Sequence, residues 1–256
     1  MNVAVILKQV PDTEAVIKVD PMNPAAIVEE DIKFVLNPYD EFAVEEALTI
    51  AEQTAGETLG ACIGPERAET ALRTALAMGL SRAILISDPD AITADVVTQG
   101  KILAAALRDS DVSLILSGRE VIDTQEDGLA PSVGEALGYP HVLNAGRIEI
   151  ADDRVTVLRD IEGGSLRIEA ELPAVVSCQK GLNDPRYPTL IAIKRSKMKE
   201  IKRMNLAELG VDASPKSALI ALRTPPPRPP GVLVEGEPEE GVAQCLKWMA
   251  EEAKLV

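Results

Sequence analysis

The chain has 256 residues, 46% of them hydrophobic, and sets 26 Lys and Arg against 41 Asp and Glu for a formal charge of -15. That length suits one α/β domain with an appendage, and the acidity argues against a nucleic-acid surface, because phosphate backbones are bound by net basic patches. Three dispersed cysteines, Cys62, Cys178 and Cys245, and a single histidine, His141, offer neither metal-type spacing nor a Cys-His nucleophile.

In chain order, the apolar run at residues 2–7 predicts the first strand, with no basic leader before it and no run near the ~18 residues of a membrane span. A cytoplasmic location without membrane insertion is expected. Asn37 and Pro38 then open a helix, with the proline at its first helical position and Glu41, Glu45 and Glu46 in its early turns. Ala43, Ala47 and Ile50 recur at core spacing along it. A strand is expected over 58–63, a helix from Pro65 to Met78 closed by Gly79, a strand over 83–87 and a helix over about 94–108.

The stretch from Val112 to Gly138 is the most telling. Val112 to Leu116 is a leucine and β-branched run with no helical period, so it reads as a strand buried on both faces, continuing to Ser117. Ser117 and Gly118 let backbone approach a ligand, an acidic loop follows, and Gly128 with a helix start near Pro131 offers free N–H groups to a phosphate. This alternation predicts a doubly wound, mostly parallel α/β sheet, Rossmann-like and suited to an adenine nucleotide, with its ligand at the carboxyl ends of the strands.

After Pro140 the pattern changes. Residues 147–150, 154–159 and 165–169 alternate charged and apolar side chains like solvated antiparallel strands, with Gly163 and Gly164 as a turn. Ala174 to Ser177 reads as one more buried strand, and Gly181 to Lys202 as a basic, proline-interrupted excursion. Thr224 to Pro230, TPPPRPP, reads as a stiff arm leading to a last helix at about 237–254. The expected division is a nucleotide-binding domain over 1–223 and an arm and helix over 224–256. His141, beside Pro140, is read as a surface or strand-edge residue.

Four motifs, AVILKQVPD, VLNPYDEFAVEEAL, RTALAMG, and the pair VLRDIEGG with LPAVVSCQKGLNDPRYPTL, occur in this order along nearly the whole chain. Together they resemble the beta subunit of electron transfer flavoproteins. The resemblance implies a heterodimer whose alpha subunit holds a redox-active FAD, while this chain contributes an adenine-nucleotide fold with a structural AMP. It implies binding residues at Ile6, at Asn37, Pro38, Tyr39 and Asp40, at Ile63, and at Gly118, Arg119, Ile122, Asp123, Asp127, Gly128 and Leu129. Asn37 is open to two uses, an adenine or ribose contact or the cap of its helix, and Asp123 to holding ribose hydroxyls. AMP-binding relatives carry Asn-Gln-Thr-Gly where this chain has Asp127, Gly128, Leu129 and Ala130, which leaves the phosphate to backbone N–H groups.

The same resemblance makes Cys178 to Met198 a recognition loop for flavoprotein dehydrogenases such as acyl-CoA dehydrogenase. Leu190 is its anchoring leucine, Tyr187 lies beside it, and Arg186, Lys194, Arg195 and Lys197 form a basic rim. The terminal helix is expected on the alpha subunit. The leading expectation is thus an electron carrier with no catalytic residue and no metal. Pro131 followed by Ser132 is closer to bifurcating members of the family, in which this subunit would bind a second FAD and work with NADH. A nucleotide-sensing protein of the same fold, acting alone like the universal stress proteins, is the third alternative.

Overall fold

A computed structural model describes residues 1–228, 230–231, 233–234 and 236–254; Pro229 of the expected proline arm, and residues 232, 235, 255 and 256 of the expected second domain, lie outside these. Every side chain of Val3–Leu7 (β1) is buried, because the strand is sandwiched between two helical layers. Strand alternation sends Val3, Val5 and Leu7 into one apolar cluster and Ala4 and Ile6 into the other. Gln9–Pro11 (β2) pairs antiparallel with Phe34–Leu36 (β3), returning the chain to Pro38–Thr54 (α1).

The next units are Thr58–Ile63 (β4), Glu69–Met78 (α2) and Arg82–Ile86 (β5), then two helices where one was expected, Pro89–Thr93 (α3) and Val96–Leu107 (α4). They are separate because the Asp95 side chain accepts from the Thr98 N–H and so starts α4 afresh. Leu114–Gly118 (β6) leads to Leu129–Leu137 (α5) and His141–Ala145 (β7). Arg147–Ala151 (β8), Arg154–Ile161 (β9) and Gly164–Glu171 (β10) form a separate three-stranded antiparallel sheet. Val155 and Val157 bury its inner face in the same cluster as α1 and α2. Ala174–Cys178 (β11) returns to the main sheet.

The expected excursion at 181–202 proves to be structured. It contains Leu190–Ser196 (α6) and ends in Ile201–Met204 (β12), which is followed by Leu206–Leu209 (α7). The main sheet therefore has seven strands in the order β12-β5-β4-β1-β6-β11-β7, every neighbouring pair parallel. Helices α1 and α2 cover one face through Ala43, Val44, Ala71 and Leu72, and α4 and α5 the other through Ile102, Leu103, Ala130 and Val133. This is the doubly wound, Rossmann-like α/β fold. Contacts divide the chain into Met1–Ala221 and Leu222–Val256, the latter holding the last helix, Pro238–Glu251 (α8).

Strand order locates the crevice. From β1 the chain adds β4 and β5 on one side, then comes back to lay β6 on the other. Loops leaving β1 and β6 diverge at this switch point, where open α/β sheets hold ligands. Gly100 brings α5 close enough to line the crevice: a Cβ there would lie 2.4 Å from Ser132 Cβ, so only glycine lets α4 and α5 meet this tightly.

Candidate functional site

The mouth of the crevice is organised by one carboxylate. Asp40, in the first turn of α1 and buried, accepts on Oδ1 from Asn37 Nδ2 at 3.0 Å and from the Gly118 N–H at 3.1 Å, and on Oδ2 from the Lys8 N–H at 2.8 Å. It thereby ties the carboxyl ends of β1 and β6 to the start of α1. Burial pushes its carboxyl up to about 7, while those three N–H donors and the Lys8 charge pull it down. Gly118 permits the junction, since a Cβ there would sit 2.5 Å from Asp40 Oδ1 and 2.7 Å from Tyr39 Cβ.

Asn37 precedes α1 but its side chain does not cap the helix. Its amide nitrogen also donates to Glu120 O at 2.9 Å, and its oxygen accepts from the Ile122 N–H at 3.3 Å. With no exposed surface, it fastens the loop after β6 to α1. Asn37 thus holds the cap position of α1 expected of it, while its side chain bonds to the loop after β6 rather than to the N–H groups of the helix's first turn.

Beside Asp40 lies a small, half-open cleft at the ends of β1 and β6. Ile6, Gly118, Leu129 and Ala130 give it an apolar side; Lys8, Arg119, Glu126 and Asp127 give it a polar rim. Helix α5 opens onto it from Gly128, with no side chain capping its first turn. It starts at Leu129, two residues before the expected Pro131, because proline fits anywhere in a first turn. The N–H groups of Leu129 and Ala130 are thus free of intrahelical partners, and Pro131 has none to give. Burial, and then the nearby Asp123, Asp95 and Asp127, push Glu126 above the usual carboxylate range against the pull of Lys8.

Lys8, Arg119 and the free N–H groups at the start of α5 are the groups of this cleft with the chemistry to take an anion. Asp127 and Glu126 on the same rim would oppose an anion there. Among the expected residues, Ile6, Asp40, Gly118, Arg119, Asp127 and Leu129 line this cleft. Gly128 caps α5, and Pro38 and Tyr39 open α1 behind Gly118. Ile63 packs instead with the apolar cluster under α4, and Asp123 is engaged by Lys8 at 2.9 Å. Lys8 was not anticipated; its one sequence signal was its place directly after the first strand, within AVILKQVPD.

A second surface lies on the segment between β11 and β12. Thr189 caps α6 by accepting from the Ala192 N–H at 3.2 Å. Leu190, the first helical residue, is 79% exposed, Tyr187 95% and Met198 89%, with Ile191 also outward. Lys194, Arg195 and Lys197 are exposed around them. Arg186, expected on this basic rim, turns toward α1 and pairs with Glu45 and Glu52.

The fold defines a doubly wound, Rossmann-like α/β protein with a cleft at its switch point. The chain belongs to the electron transfer flavoprotein family: residues 25–209 match the model of the electron transfer flavoprotein domain. It is 35% identical to the electron transfer flavoprotein subunit beta of Bacillus subtilis (strain 168), the match covering 100% of both chains. It is 34% identical to that of Syntrophomonas wolfei over 100% of this chain and 98% of the relative, and 33% identical to that of Mus musculus over 92% and 93%. Among the described residues no helix is long and apolar enough to cross a membrane, and no cluster of His, Cys, Asp or Glu could hold a metal.

Proposed function

We propose that this chain is the beta subunit of a heterodimeric electron carrier, paired with an alpha-type subunit that holds FAD, accepting electrons from flavoprotein dehydrogenases and passing them on in the cytoplasm. The observation that carries the reading is the outward apolar surface of Tyr187, Leu190 and Ile191 within a basic rim, on a chain whose net charge is -15. An apolar plug ringed by charge of opposite sign to the rest of the molecule favours one docking orientation.

The cleft at β1 and β6 would hold an adenine nucleotide, AMP, as part of the folded state. Ile6 and Leu129 would flank the base and sugar, and Lys8, Arg119 and the N–H groups of Leu129 and Ala130 would take the phosphate. AMP supplies no redox chemistry, only binding energy that favours the ordered loop. In this reading the chain's own residues do no chemistry: they anchor a nucleotide, orient the alpha subunit through the C-terminal arm and helix, and present the docking surface.

The test is to co-produce the chain with its alpha-type partner, denature the complex and quantify released nucleotides by chromatography. One FAD and one AMP per heterodimer are expected. Two FAD and no AMP, with reduction by NADH, would overturn the structural-nucleotide reading in favour of bifurcation. A chain that fails to pair at all would overturn the carrier.

A further inference from the structure

Arg186 lies four residues before Leu190, yet its guanidinium is turned to α1 and engaged there by two carboxylates. Nε donates to Glu45 Oε2 at 2.8 Å and Nη2 to Glu45 Oε1 at 3.0 Å, a two-pronged pair, while Nη1 donates to Glu52 Oε1 at 2.6 Å. Its backbone N–H adds a bond to Glu45 Oε2 at 3.0 Å. The Glu45 side chain is only 11% exposed, so this carboxylate is held within the domain. Three residues earlier, Asn183 Nδ2 donates to Phe42 O and to Glu46 Oε2, both at 3.0 Å. Residues 42, 45, 46 and 52 lie on the same helix, α1.

The far end of the segment is fixed in the same manner to α2. Arg73 Nη1 donates to Ser196 O at 2.6 Å and Lys199 O at 2.8 Å, and Lys199 Nζ returns donors to the carbonyls of Leu76, Gly79 and Leu80. Between these two attachments the outward large apolar side chains are Tyr187, Leu190, Ile191 and Ile193.

We infer that Arg186 is a positioning residue: with Glu45 and Glu52 it straps the docking segment to α1, so that Leu190 is presented in one place before any partner arrives. The inference rests on the docking reading given above. Its physical content is preorganisation, because an apolar anchor held rigid loses less freedom on binding than one on a mobile loop. Arginine suits the role because its planar fork matches a carboxylate with two parallel bonds while a third N–H reaches a second one.

The experiment uses the whole heterodimer in four forms, Arg186→Gln, Glu45→Gln, Lys194→Gln and Leu190→Ala, each checked for unchanged flavin content and far-ultraviolet circular dichroism. Amide hydrogen exchange is followed over residues 184–193, and reduction by an acyl-CoA dehydrogenase with its acyl-CoA is measured across a salt series. For Arg186→Gln and Glu45→Gln, exchange should rise by roughly tenfold or more. The KM for the carrier should rise more than kcat falls, with the salt dependence kept. Lys194→Gln should flatten the salt dependence and leave exchange alone. Unchanged exchange in Arg186→Gln, or a salt dependence flattened as in Lys194→Gln, would overturn the strap. Normal reduction of Leu190→Ala would overturn the docking reading itself and with it the purpose of the strap, even if exchange rises as expected.

Discussion

Replacing Gly118 by alanine tests the junction on which the cleft depends. The added Cβ would lie 2.5 Å from Asp40 Oδ1 and 2.7 Å from both the carbonyl carbon and the Cβ of Tyr39. Two of these atoms belong to the first turn of a helix already packed on the sheet, so they cannot swing aside as a flexible side chain would. Overpacking of this kind costs about 1–3 kcal/mol. Moving Asp40 also sacrifices its bond from the Gly118 N–H, and a bond to a charged group contributes about 1.5–3 kcal/mol. Alanine stiffens the unfolded chain and gives back about 0.4–1 kcal/mol, which leaves an expected loss of roughly 1.5–5.5 kcal/mol. Urea unfolding of the purified chain followed by circular dichroism reads this as a lowered midpoint at unchanged slope. Gly164→Ala is the control, because nothing lies within 4 Å of its Cβ. A Gly118→Ala variant within about 0.5 kcal/mol of that control would refute the close approach and the tie it permits.

Four further outcomes are expected. Burial raises Asp40 from 3.8 to about 7, so between those values the folded chain binds more protons than the unfolded one and stability falls as pH rises, by a term on the order of 4 kcal/mol at most; Asp40→Asn should lose that slope, and parallel curves would contradict the burial argument. Asp95 has the opposite sign: the N–H groups of Lys216, Thr98 and Ser217 lower it from 3.8 to about 2, so its contribution holds above pH 4 and fades as pH falls toward 2. Asp95→Ala should speed amide exchange at Lys216 and Ser217 about tenfold, and unchanged rates would remove it as their anchor. Lys199→Met strips the donors from three carbonyls at the end of α2 and should cost about 1–2 kcal/mol in urea unfolding, with a loss under ~0.3 kcal/mol counting against the cap. Burial pushes the Cys62 thiol up to about 12 and Cys178 upward too, so in the isolated chain a thiol reagent should react fast with exposed Cys245 alone, and a second fast thiol would contradict that burial.

What the sequence disclosed depended on the kind of signal each element carries. β1 and β4 were readable because strands buried on both faces are nearly continuous apolar runs, and α1 because a proline and glutamates mark its first turn. β12 was not, since IKRM carries Lys202 and Arg203 in its middle, as edge strands that avoid further pairing often do. β7 was missed for a related reason: it is the opposite edge, it begins with exposed His141, and Asn144 bends it at a φ of 62°. β6 begins at Leu114 rather than Val112 because its pairing with β1 starts at Val3 opposite Leu114, and partner register is invisible in a single strand. In the cleft, strand ends pointed to Ile6 and Gly118, but no local pattern could say that Asn37 would turn its amide to the loop after β6. Nor could one say that Arg186 and Glu45, far apart in sequence, would meet.

The path from β11 to β12 has a consequence for how the protein matures. The chain leaves the main sheet one strand in from one edge and re-enters it as the other edge, having crossed over α1 and α2 on the way. β12 pairs with β5, a partner laid down more than a hundred residues earlier in the chain, and such distant pairings are slow to form. The segment that carries Leu190 is therefore held at both ends by elements distant in sequence, α1 at one end and α2 with β5 at the other, so its final placement depends on the whole sheet being assembled.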